Sequence, residues 1–171
     1  MSTKPVRIVG ILSIIVGALM LVVGAVVWGV VTSELASENI VTPPDAVFLA
    51  NQPVNNPLTA LSQAQTIKKH ALAASNGKTY AELGTLASDA TKAGNTDLAT
   101  KYTATRNTVM TGSFLRASLF TSVLSYGVCL MAMGLGLILG LIGWVFMGIA
   151  KGLNPAVAEV KAVPVEVKAA E

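Results

Sequence analysis

His70, in the run Ile67-Lys68-Lys69-His70, is the only histidine the 171-residue chain offers to acid–base or metal chemistry. A metal centre needs several imidazole, thiolate or carboxylate groups converging on one point, and a lone histidine beside two lysines on a helix reads as a solvated surface residue. Without His70 no serine, histidine and carboxylate can be assembled into a nucleophilic triad. Glu34 and Glu38 stand one helical turn apart. They read as solvated residues at the exit of an apolar segment, or as partners of a nearby cation, rather than as a cation site. The single cysteine, Cys129, lies inside an apolar run, so it forms no intrachain disulfide and no zinc pair. No glycine loop of the phosphate-binding kind follows a strand. The sequence therefore predicts no catalytic residue, no cofactor and no metal ligand.

What the chain does contain is two long apolar runs, residues 8–31 and 123–150, neither with a charged side chain. As helices at about 1.5 Å per residue they would be roughly 36 and 42 Å long, against a hydrocarbon core of about 30 Å. Lipid cannot satisfy backbone N–H and C=O groups, so each run must be helical. The predicted fold is an all-α membrane protein with two transmembrane helices, 8–31 and 119–150. A small helical extracytoplasmic segment, 32–118, lies between them, with a short cytoplasmic N-terminus, 1–7, and a disordered cytoplasmic tail, 151–171. The 53% share of hydrophobic residues is too high for an ordinary soluble domain and sits mainly in the two runs. A secretory signal peptide is a poorer reading of the first run, because its apolar region exceeds the usual 7–15 residues or so.

Charge sets the orientation. The net charge of +3 comes from Lys4, Arg7 and Arg116, all flanking apolar segments, which leaves no basic patch for nucleic acid. Lys4 and Arg7 precede the first span and Lys151 and Lys161 follow the second, whereas Glu34, Glu38 and Asp45 follow the first. Positive-inside bias then places both termini in the cytoplasm. Trp28 and Tyr126 fall at the outer aromatic belt and Trp144 at the inner one.

Between the spans, residues 32–57 are polar and dotted with proline, which predicts an irregular connection with one short apolar patch, 46–50. A helix is predicted from Asn56 as N-cap with Pro57 at its first position, ending near Ser75 before Asn76-Gly77. Thr79 and Glu82 have capping-box spacing and start a second helix that closes near Gly94. From about residue 97 to 150 the pattern reads as one long helix. Leu58, Leu61 and Leu72 on the first short helix, and Leu83, Leu86 and Ala90 on the second, are the candidate core, and it is small.

Gly10, Gly17 and Gly24 recur every seven residues and share one helix face, while Ala132, Gly136, Gly140 and Gly148 form a small-residue series at spacing four, broken by Trp144. Such faces allow close backbone approach in lipid. Antiparallel spans aligned at equal depth would pair Gly24 with Ala132, Gly17 with Gly140 and Gly10 with Gly148, and would set Arg116 beside Glu34 or Glu38 as an ion pair. The same faces could serve another chain instead.

Three stretches, KPVRIVGILSII, IKKHALAASNGKTYAELG and SFLRASLFTSVLSYGV, resemble a group of small actinobacterial two-pass membrane proteins that often carry the name aromatic ring-opening dioxygenase. The resemblance covers most of the chain apart from the tail and implies a cell membrane with an extracytoplasmic central segment. The enzymatic name does not fit the residues: ring-opening dioxygenases commonly hold iron with two histidines and a carboxylate, and here there is one histidine. The expected role is a structural or accessory subunit of a larger envelope or respiratory membrane assembly. Its expected partners are the lipid bilayer and other membrane proteins or itself, and not nucleic acid. An envelope module binding a lipid or small ligand is the alternative, and an enzyme the least favoured.

Overall fold

The structure is a computed structural model and describes residues 4–152. Four helices follow one another along the chain: α1 (Lys4–Ser37), α2 (Pro57–Ala74), α3 (Tyr80–Lys92) and α4 (Thr96–Gly152). The only β feature among the described residues is an isolated antiparallel bridge between Val41 and Pro53. α1 and α4 are both long and apolar enough to cross a membrane. The predicted tail, with Lys161, lies outside the described residues from position 153 onward.

Each helix boundary has a local cause. Asn56 caps α2 by accepting from the amides of Leu58 and Thr59, and Thr59 returns a bond to the Asn56 amide, with Pro57 at the first position. Asn76 and Gly77 follow its end at φ of 53° and 76°, the left-handed conformation that stops a helix. Thr79 and Glu82 close the capping box of α3, and the Thr79 amide and hydroxyl both donate to the Glu82 carboxylate at 2.7 Å. The backbone bond, followed by that from the hydroxyl, lowers the Glu82 pKa. Gly94, at φ 72°, ends α3, and Asn95 caps α4 through the Leu98 amide at 3.1 Å. α1 runs six residues past the predicted end of its span, because Ser33-Glu34-Leu35-Ala36 contains no breaker and Leu35 is buried.

At 57 residues, α4 is about 86 Å long, far more than the roughly 30 Å of a bilayer core. Its first half is rich in threonine. The hydroxyls of Thr100, Thr103, Thr105, Thr108 and Thr111 each donate to the carbonyl four residues back, so these polar groups are satisfied within the helix.

The chain divides into two compact units. In the first, residues 4–27 of α1 pack antiparallel against residues 128–152 of α4. The second, Trp28–Gly127, holds α2, α3 and the connecting loop. Its core joins Leu35, Val54, Ala60, Ala64, Leu119 and Tyr126. Tyr126 is almost fully buried rather than in a lipid-facing belt: its ring meets Trp28 edge-on at 4.6 Å, and its hydroxyl bonds Thr32 at 2.8 Å. A buried phenol is tolerated because that hydroxyl has a partner. The loop before α2 closes on the fully buried Thr42, whose amide and hydroxyl both engage Gln52.

The buried face of α2 differs from the predicted leucine stripe. Leu58 is exposed, and the inward positions are Thr59, Ala60, Ser62, Ala64 and Thr66. Small residues let α2 approach its neighbours closely, and their hydroxyls find local acceptors: Thr66 donates to the Ser62 carbonyl at 2.9 Å, and Ser62 to that of Phe48. On α3, Leu83 and Ala90 are buried as expected.

Candidate functional site

Backbone meets backbone in the first unit. A Cβ on Gly17 would stand 2.5 Å from the Gly136 carbonyl oxygen and 2.9 Å from the Gly140 nitrogen, and a Cβ on Gly136 would stand 2.6 Å from the Gly17 oxygen. Gly10 and Gly143 repeat the reciprocal arrangement at 3.0 and 2.6 Å. Gly24 faces the Cys129 carbonyl and the Met133 side chain. Each glycine Cα–H that a Cβ would replace therefore faces a carbonyl across the interface, an arrangement of weak Cα–H···O contacts known from close helix pairs.

The pairing corrects the predicted alignment. Gly10 meets Gly143 and not Gly148, whose Cβ would touch nothing within 4 Å, and the atoms nearest Gly24 belong to Cys129 and Met133, not Ala132. Gly17 does contact Gly140, but its closest approach is to Gly136. Residues four apart wind about 40° around a helix per step, so the series 132, 136, 140, 148 leaves the face, whereas residues seven apart drift only about 20°. Gly143, Gly136 and Cys129 keep the seven-residue spacing of Gly10, Gly17 and Gly24, the repeat of a left-handed helix pair.

The predicted ion pair is absent. Among the described residues Arg116 has no carboxylate partner, and Glu34 and Glu38 are solvent-exposed. Its guanidinium lies 5.8 Å from the Phe120 ring centre, and its Nε is buried without a hydrogen-bond partner.

Sequence reasoning missed the environment of His70. Its Nε2 lies 2.8 Å from Asp45 Oδ2, and Lys69 Nζ reaches the same oxygen at 3.0 Å and the Asp45 carbonyl at 3.0 Å. The hydrogen bond with His70, followed by that from Lys69, lowers the Asp45 pKa to about 2. All three side chains are about half exposed, and together they clip the loop to α2. No three histidine, cysteine, aspartate or glutamate side chains gather at one place among the described residues.

Two further contacts shape the second unit. Arg106 lies over the Tyr80 ring at 4.0 Å and against Gly84, where the missing Cβ leaves room for the guanidinium. Gly112 brings α4 onto Ala71 of α2, since a Cβ there would stand 3.2 Å from the alanine methyl. Beside that contact α2, α3 and α4 enclose a groove of about 390 Å³, edged by Lys68 and Arg116 and floored by apolar residues that include Leu72 and Val109. No family model, no curated protein and no solved structure matches the chain.

Two predictions follow from these contacts. Gly17→Ala should lower the stability of the helix pair by about 1–3 kcal/mol through overpacking. Gly134→Ala, whose Cβ meets open space, should be neutral or stabilise by up to about 1 kcal/mol. Thermal unfolding in detergent followed by circular dichroism compares them, and equal effects would contradict the seam. For the clip, the ordinary Asp45 pKa of 3.8 is lowered on folding, so its stabilising contribution is complete above that value and is lost as pH falls towards about 2. Amide resonances of Thr42, Asn51 and Val54 should shift as pH falls from about 4 towards 2, and Asp45→Asn should abolish that acid transition.

Proposed function

We propose that this chain is a two-span integral protein of the cell membrane, with both termini cytoplasmic and residues 32–118 outside, acting as a structural or accessory subunit of a larger envelope or respiratory assembly. The observation that carries the membrane reading is exposure. Only 17% of the most apolar window of each long helix is buried inside the protein. Ile8, Leu12, Ile15, Leu19, Leu137 and Leu141 are each more than half exposed, an apolar surface that water would not tolerate and lipid would cover. Lys4, Arg7 and Lys151 on one side, against Glu34, Glu38 and Asp45 on the other, support the orientation.

The accessory role is supported by how the small residues are used. Gly10, Gly17 and Gly24 are occupied within the chain, so a partner helix would meet a different line, and Gly134 and Gly148 are open on α4. The resemblance to small actinobacterial two-pass proteins agrees with this size and topology. A dioxygenase reading has less support, because His70 shares its carboxylate with a lysine, which is not an iron ligand, and no second histidine exists. The groove edged by Lys68 and Arg116 favours a second reading, an envelope module that holds a lipid or small ligand.

Gentle detergent extraction followed by native mass spectrometry distinguishes the two readings. The accessory role predicts a stoichiometric membrane-protein partner that is lost on Gly134→Leu or Gly148→Leu while the chain itself stays folded. A solitary chain, in wild type as in the variants, would contradict it.

A further inference from the structure

The foot of α2 stands where the apolar run of α1 ends. The Tyr126 hydroxyl bonds Thr32, the first residue after that run, at 2.8 Å, and also donates to the Asn55 carbonyl at 3.4 Å. Val54 joins the same core as Leu35, Leu119 and Tyr126. Asn55 leads directly into the Asn56 cap and Pro57, so the N-terminal end of α2 lies at the level of Thr32. Its later turns lie farther out, because Ala71 meets Gly112 of α4. Pro57 to Ala71 and Tyr126 to Gly112 each measure about 21 Å as helix, so α2 runs antiparallel to this part of α4 and away from the apolar runs.

Two large apolar side chains stand uncovered at this foot. Leu58, in the first turn of α2, is 60% exposed, and Val41, which bridges Pro53 just before Val54, is 56% exposed. Side chains on a helix tilt towards its N-terminus, so that of Leu58 leans back to the level of Thr32 rather than away from it. Leu58 follows Asn55 by three residues, about 4.5 Å along a helix axis, and the headgroup layer beyond the hydrocarbon core is about 5–7 Å deep. Val30 and Leu124, at the outer ends of the two apolar runs, are 54% and 68% exposed, so the lipid-facing surface of the spans reaches the same level. Apolar side chains at headgroup depth are covered by entering the boundary between headgroups and acyl chains.

We infer that Leu58 and Val41 form a lipid-contacting foot, set into the outer leaflet at the boundary of headgroups and acyl chains, by which the extracytoplasmic segment rests on the bilayer surface. The inference rests on the membrane placement proposed above and not on the accessory role.

The test uses the full chain with Cys129→Ser, reconstituted in phosphatidylcholine–phosphatidylglycerol vesicles and carrying one fluorophore at a time on Leu58→Cys, Val41→Cys, Leu124→Cys or Leu98→Cys. Leu124 reports the span, and Leu98, about 42 Å along α4 from Tyr126, reports water. Lipids bearing a nitroxide near the top of the acyl chain should quench the probes at 58 and 41 as well as that at 124, and leave the probe at 98 bright. Iodide, present on both sides of the vesicle, should quench the probe at 98 and lose most of its effect at 58 and 41. Should Val41→Cys unfold by circular dichroism, the probe at Leu58, an exposed position, decides alone. Iodide quenching at 58 as strong as at 98, without quenching by lipid, would overturn the foot and leave the membrane reading standing through Leu124. Protection of 58 from both quenchers would assign its cover to a second copy of the chain and overturn the foot as well. Loss of lipid quenching at 124 would instead overturn the membrane placement itself, so the two failures are distinguishable.

Discussion

Reciprocal contact between the backbones of Gly17 and Gly136 is the constraint on which the long helix pair depends. Neither position has room for a Cβ, because each would drive into the other's carbonyl oxygen at 2.5–2.6 Å. In lipid, apolar side chains gain nothing by leaving one hydrocarbon surface for another, so association has to come from close packing and weak polar contact between backbones. The same contact repeats one heptad away at Gly10 and Gly143, which fixes the register at two levels. With these glycines turned inward, the valines, isoleucines and leucines of both helices are left facing outward, and that outward surface supports the proposed placement in a bilayer.

The Trp28–Gly127 unit follows a different logic. Few of its leucines are buried, and α2 turns alanine, serine and threonine to the interior, with hydroxyls bonded to nearby carbonyls. Thr42 organises the loop, Tyr126 ties Trp28 and Thr32 together, and the Asp45 clip holds the loop to α2. A core of this kind derives specificity from satisfied polar groups more than from buried apolar area, since each orphaned hydroxyl would cost about 1–3 kcal/mol. Gly84 and Gly112 serve the same end by admitting Arg106 and Ala71 where a side chain would keep them apart.

Local signals were readable in the chain. Asn56-Pro57, Thr79 with Glu82, Asn76-Gly77 and Gly94 each act within one turn, so the short helices begin and end where residue chemistry places them. Length and the lack of charge were enough to mark α1 and α4 as long apolar helices. Register was not legible, because Gly136 belongs both to a four-residue series and to a seven-residue series, and only packing selects between them. The inward turn of Tyr126 was hidden for a related reason: an aromatic residue at the end of a span suits an interface belt equally well until Thr32 and Trp28 are seen beside it. Asp45 and His70 lie 25 residues apart, and nothing short of the folded loop brings them together.

Site-directed labelling tests the central claim most directly. In a chain with Cys129→Ser, single cysteines at Asn76, an exposed position after α2, and at Lys151, at the end of α4, would be exposed to a membrane-impermeant thiol reagent on intact cells. A two-span protein with residues 32–118 outside predicts labelling at 76 and protection at 151 until the cells are opened. Labelling at 151 with protection at 76 would reverse the orientation, and equal labelling of both positions on intact cells would contradict the two-span account.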